Sequence, residues 1–296
     1  MASELAPGTI VVTGSEVSSG AGAVFRIHPT RGTEAKVSSA GDFATPIGVA
    51  IEADGKILIA DADAFGGKGG VIRVDPATKK QSTVASLDLF ANPFDLAVET
   101  TGGIVVVDPH AKAVGGVVRV DPKTGTQVMV SSGEETGATA GLREVGIAIE
   151  KNGRILVIEQ SLSGGMGGGR VTRIHQKTGA RKAVSTGGSF MSAAGIAVEA
   201  DGNILVVDAN AFGGSGGVIR VNPRSGKQTT VTSGGSFVSP LGIAVEADGN
   251  ILVADSDAFG MKGGIIRVDP ATGEQKKVTT GKKFGGHRRI AVVPSV

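Results

Sequence analysis

Gly202-Asn203-Ile204-Leu205-Val206-Val207-Asp208 is followed 47 residues later by Gly249-Asn250-Ile251-Leu252-Val253-Ala254-Asp255. Earlier copies are Gly55-Lys56-Ile57-Leu58-Ile59-Ala60-Asp61, Gly102-Gly103-Ile104-Val105-Val106-Val107-Asp108 and Gly153-Arg154-Ile155-Leu156-Val157-Ile158-Glu159. A sixth, degenerate copy is Gly8-Thr9-Ile10-Val11-Val12-Thr13. The spacing of 47–51 residues is that of four-stranded propeller blades.

The unit from Leu241 to Gly281 reads as four strands. Gly242 to Glu246 forms the first. Ala247-Asp248-Gly249 is a hairpin turn, because Gly accepts positive φ. Ile251 to Ala254 is a continuous apolar run, expected to be buried on both faces. A Gly-rich loop then leads to the third strand, Ile265 to Val268. Asp269-Pro270-Ala271-Thr272-Gly273 turns the chain, with Pro setting φ. The polar run Gln275 to Thr279 suits an outer, solvated strand. No helical periodicity longer than a turn is present.

The ends complete the count. The chain opens on a second strand, Thr9 to Val12, and finishes on an orphan first strand, Arg289 to Val293. These two predict a shared blade that closes the ring and protects sheet edges. The expected architecture is all-β: a six-bladed β-propeller of four-stranded blades, one domain over residues 1–296.

The phrase Gly242-Ile243-Ala244-Val245-Glu246, with Asp248-Gly249-Asn250-Ile251-Leu252-Val253 and Ile265-Ile266-Arg267-Val268, resembles the NHL-repeat propellers. More loosely it is similar to six-bladed propellers of the SMP-30/gluconolactonase type. The resemblance covers almost the whole chain and implies the fold. The loops after the second strands are longer and richer in Gly than the NHL pattern.

Composition narrows the function classes. With 30 Lys and Arg against 28 Asp and Glu, no excess of positive charge points to nucleic acid. Trp and Tyr are absent, which argues against an aromatic platform for sugars or single strands. Cysteine is absent, so there is neither disulfide nor thiolate chemistry, and the compartment stays open. No apolar run reaches membrane-span length, and Met1 to Gly8 lacks the features of a signal peptide.

An acid ends the second strand in five blades: Asp61, Asp108, Glu159, Asp208 and Asp255. As a carboxylate ring they would hold Ca²⁺ or another divalent cation. As structural residues they would cap a loop or pair with the Arg that recurs in every third strand (Arg26, Arg73, Arg119, Arg173, Arg220, Arg267). A residue needed in every blade is there to build a blade, so the structural reading is preferred.

Departures from the repeat carry more functional information. Gly recurs near the start of the first strands, but Asp95 and Arg289 replace it in two blades. An acid and a base in a Gly-lined ring form either a ligand site or a plug across the channel. His110 and His287 sit in loops expected on the same face and are candidate acid–base groups. Arg143, Glu144, Arg288 and Lys112 join them there. Phe43, Phe90, Phe190, Phe237 and Phe284 precede first strands, whereas Phe65, Phe212 and Phe259 follow second strands. Both sets suit packing beneath loops.

The expected function is a rigid binding module, a monomer that takes a small molecule or protein partner on its loop face. The alternative is a metal-dependent lactonase, hydrolase or lyase. Asp95, Glu144, Glu159 and Asp208 would surround its cation, and His110 or His287 would carry the proton.

Overall fold

The computed structural model describes residues 5–133, 142–161, 168–281, 284–286 and 289–294. Six antiparallel sheets form the propeller, five of them four-stranded. Blade 2 runs Pro46–Ile51, Ile57–Asp61, Gly70–Val74 and Gln81–Ser86; blade 6 runs Pro240–Val245, Ile251–Asp255, Gly264–Val268 and Gln275–Thr279. Blades 3, 4 and 5 begin at Asp95, Leu142 and Ala193. First strands of neighbouring blades touch one another around the axis.

Blade 1 contains both ends of the chain. Ile10–Glu16, Gly22–Ile27 and Glu34–Ser39 are its outer three strands. Its inner strand is Ile290–Val292, paired as Ile10↔Val292, Val11↔Ala291 and Val12↔Ile290. Phe284–Gly285 extends the closure beyond the expected strand, opposite Ser15 and Glu16. No helix in the described residues is long and apolar enough to cross a membrane.

The second strands are buried throughout, which explains their unbroken Val, Ile and Leu. Among the described residues, six apolar clusters lie largely between adjacent blades; one joins Leu205 and Val207 to Ile251 and Val253. Complete burial of each such side chain stabilises by about 1.5–3 kcal/mol. The inner strands approach too closely for side chains: a Cβ on Gly48 would lie 2.8 Å from the Asp95 Cα, and one on Gly195 would lie 2.7 Å from the Leu241 carbonyl oxygen.

Polar staples join neighbouring blades. Arg73 pairs bidentately with Glu52 of its own blade and donates to the Pro122 carbonyl of the next. Arg119, Arg173, Arg220 and Arg267 repeat the arrangement, Arg267 reaching Pro29 across the closing seam. Thus in blades 2 to 6 the partner of the recurring Arg is the Glu that follows the first strand. A second staple is Gln at the start of the fourth strand. Gln228 Nε2 donates to the Gly187 carbonyl and its Oε1 accepts from Ser189 N–H, both in the preceding connection.

Candidate functional site

The end-of-strand acids serve the loop face. Asp208 Oδ1 accepts from the N–H groups of Asn210 and Ala211, while Oδ2 accepts from Met191 and Ser192. Asp61 and Asp255 make equivalent bonds, and Asp108 accepts from Ala91, Asn92 and His110. All four are fully buried. Each ties the loop after the second strand to the connection entering its blade. Their oxygens are directed at backbone donors within separate blades rather than at a common point.

The capped loops hold side chains in the left-handed region. Phe65, Phe212 and Phe259 have φ of 54–56°, and Lys112 has 46°. Such a conformation costs roughly 1–2 kcal/mol per residue. The Phe212 ring lies over Gly217, where a Cβ would come within 2.8 Å of it. Phe43, Phe90, Phe190 and Phe237 are buried beneath the entering connections. The Phe284 side chain lies outside the described residues.

The axis is filled by Arg289. Its Nε donates to Asp95 Oδ2 at 2.9 Å, and Nη1 donates to the Leu241 carbonyl at 2.9 Å. Nη2 donates to the carbonyls of Val145 and Ala194. Its backbone N–H donates to Thr13 Oγ1, which donates onward to the Ile47 carbonyl. One side chain and its immediate neighbours therefore bond to all six blades. Ile47, Val145, Ala194 and Leu241 each occupy a β-bulge where their strand's register shifts. A bulge leaves its residue outside the ladder, so these carbonyls are available to the centre. Burial pushes the Asp95 carboxyl up, and the Arg289 charge opposes that shift.

Blade 4 breaks the repeat at four neighbouring positions. Glu159 stands where Asp caps other blades, and Arg170 stands opposite it where Gly217 or Gly70 stands elsewhere. Glu144 occupies the place of Pro46 and Pro240, and Arg181 the place of the staple Gln. The four side chains meet. Arg181 Nη2 donates to Glu144 Oε1 at 2.8 Å and also to Glu159 Oε1. Arg170 and Thr172 donate to Glu159 Oε2. Arg181 also reaches Ser131 of blade 3, while its buried Nε has no hydrogen-bond partner among the described residues. Burial pushes Glu144 up, with Arg181 opposing. Burial also acts upward on Glu159, but hydrogen bonds from Arg170 and Thr172 and the Arg181 charge outweigh it and hold Glu159 low.

The expected site residues therefore separate into groups. Asp95 and Arg289 come together as a buried pair, and Glu144 meets Glu159. Asp61, Asp108, Asp208 and Asp255 remain in their own loops. His110 is exposed, its N–H donating to Asp108. His287 and Arg288 lie outside the described residues. His28 and His175 take the place of the turn Asp: each Nδ1 accepts from the two following turn N–H groups, as Asp75 Oδ1 does. Arg170 and Arg181 join the site unannounced by motif, although each breaks a repeated position. Among the described residues, no three His, Cys, Asp or Glu side chains cluster as a metal site.

No family model matches the sequence, and no curated protein does. Solved structures do resemble it. A chain of a nidogen/laminin complex superposes with a TM-score of 0.73 at 14% identity, covering 97% of this chain and 98% of that one. TolB from Acinetobacter baumannii gives 0.69 at 16% identity, covering 97% and 67%. A calcium-binding protein, regucalcin, from Agrobacterium tumefaciens gives 0.60 at 15% identity, covering 80% and 74%. At these identities the likeness shows the fold alone: the chain is a six-bladed β-propeller related in architecture to these proteins.

Proposed function

We propose that this chain is a rigid, NHL-like binding platform that docks a protein partner on its loop face. The observation carrying the reading is the position of its exposed apolar side chains. Among the described residues, five of the six large ones, Val17, Leu87, Val114, Val238 and Met261, are in loops of that face. The sixth, Val128, is on an outer strand. Apolar groups gathered on one face suit protein contact. Asp108 caps the loops that carry Leu87 and Val114, and Asp255 those that carry Val238 and Met261, so four of the five are presented in a fixed conformation, which lowers the ordering cost of association. The propeller of the nidogen/laminin complex supports the reading by analogy of fold. The pairing of Asp95 with Arg289 weighs against a hydrolase centre at the channel mouth, because both groups are already spent on each other.

The test is photocrosslinking from single loop-face positions, with positions on the opposite face as controls. The reading expects one species to be captured saturably from the loop face, in competition with unlabelled protein. The triple variant Val114→Asp, Val238→Asp, Met261→Asp should abolish capture while melting like the parent. Equal capture from both faces, or capture unchanged in the triple variant, would contradict it.

A further inference from the structure

The face opposite the loops carries a groove between blades 4 and 5 with a volume of about 590 Å³. Its floor includes the staple Arg173, paired with Glu150 and bonded to the Pro223 carbonyl of blade 5. Around it stand Lys151, Arg154, Lys182 and Arg224, all exposed. Five cations thus face the groove against two carboxylates, Glu150 and Asp201. A groove of similar size under blade 3, about 580 Å³, has two cations and two carboxylates.

The repeat shows that blade building does not require this charge. Lys151 stands where other blades have Ala53, Thr100, Ala200 and Ala247. Arg154 stands where blades 5 and 6 have Asn203 and Asn250, and Lys182 where blade 5 has Thr229. Arg224 replaces Ala77 and Ala271 of blades 2 and 6. The turn acid present as Asp75, Asp121 and Asp269 is the neutral Asn222 beside this groove. Lys151 Nζ donates to the Ala200 carbonyl across the blade junction at 2.6 Å, which leaves its charge uncompensated. The side chains of Arg154, Lys182 and Arg224 have no partner among the described residues.

We propose that this groove binds a small polyanion, a molecule carrying two or more phosphate or carboxylate groups. Like charges in excess of their counter-charges repel, and an anion between them removes that cost. Guanidinium groups match the paired oxygens of phosphate and carboxylate. The volume is within the range of small-molecule sites, roughly 300–1,000 Å³. The site is independent of the loop-face partner, since it lies at the other end of the strands.

Isothermal titration of the full chain at low ionic strength tests this, with pyrophosphate and citrate as probes and glucose as a neutral control. Saturable binding of pyrophosphate, citrate or both is expected, weakening as salt is added. The triple variant Arg154→Asn, Lys182→Thr, Arg224→Ala installs residues that neighbouring blades already accommodate. It should weaken binding about tenfold or more. Lys123→Ala, in the groove under blade 3, should leave binding unchanged. The proposal is overturned if neither probe saturates at millimolar concentration, or if the triple variant binds like the parent. It is also overturned if Lys123→Ala is equally damaging, or if a polyglutamate peptide binds where both small anions fail.

Discussion

Arg289 Nε lies 2.9 Å from Asp95 Oδ2, pairing residues 194 positions apart in the chain on the axis of the ring. Both are buried, at 6% exposure each. The pair stands where Gly48, Gly146, Gly195 and Gly242 line the other four blades.

Removing one member leaves the other charge buried alone, so Asp95→Gly or Arg289→Gly should each cost about 3–5 kcal/mol. The double variant restores the residue that the other blades carry and should cost less than the sum, with a coupling of about 2 kcal/mol. Urea unfolding of the four proteins checks this. Additive losses would mean that the pair acts as two separate residues.

The loop caps should be separable from any ligand role. Asp208 accepts four backbone N–H bonds, so Asp208→Ala should lower stability by about 2–4 kcal/mol. Asp208→Asn, which keeps an acceptor oxygen, should cost less. Limited proteolysis should cut near Phe212 in the Ala variant, because the cap that holds that residue at positive φ is gone. A melt unchanged by Asp208→Ala would remove the capping account.

Glu144 makes a pH prediction with a definite sign. Its folded carboxyl is raised above the ordinary 4.5 by burial, so between those two values the native state holds more protons than the unfolded chain. The Glu144 contribution therefore destabilises progressively as pH rises through that window, and its full cost is present above the folded value. Glu144→Gln lacks this titration. Its stability relative to the parent should climb as pH rises from 4.5 and then level off. Urea midpoints across pH give the slope; a flat or falling difference contradicts the assignment.

The architecture was legible because the repeat spacing and the alternation of turns leave little choice. The outer strand Gln275–Thr279 has the expected bounds. The inner strand starts earlier than Gly242, at Pro240, because pairing resumes across a bulge at Leu241. That bulge has no signature in the residues, so the inward carbonyls that receive Arg289 were invisible. The recurring Asp was visible, but two of its four donors lie in a connection 16–17 residues upstream and depend on the folded loop. Glu144 and Glu159 were readable as departures. Arg170 and Arg181 were equally readable against Gly217 and Gln228, but their meeting with the two acids depends on strand register. No comparable pattern marks His110 as more than an exposed loop residue.

Ring closure is the claim on which every placement depends, and the absence of native cysteine makes it directly measurable. Ile10 and Val292 face each other across the closing seam. In the Ile10→Cys, Val292→Cys variant a disulfide should form completely on mild oxidation and raise the urea midpoint. Ile10→Cys with Ala291→Cys, one residue out of register and pointing to the opposite side of the strand, should remain reduced. Equal oxidation of both variants, or none in either, would contradict a ring sealed by its own C-terminal strand.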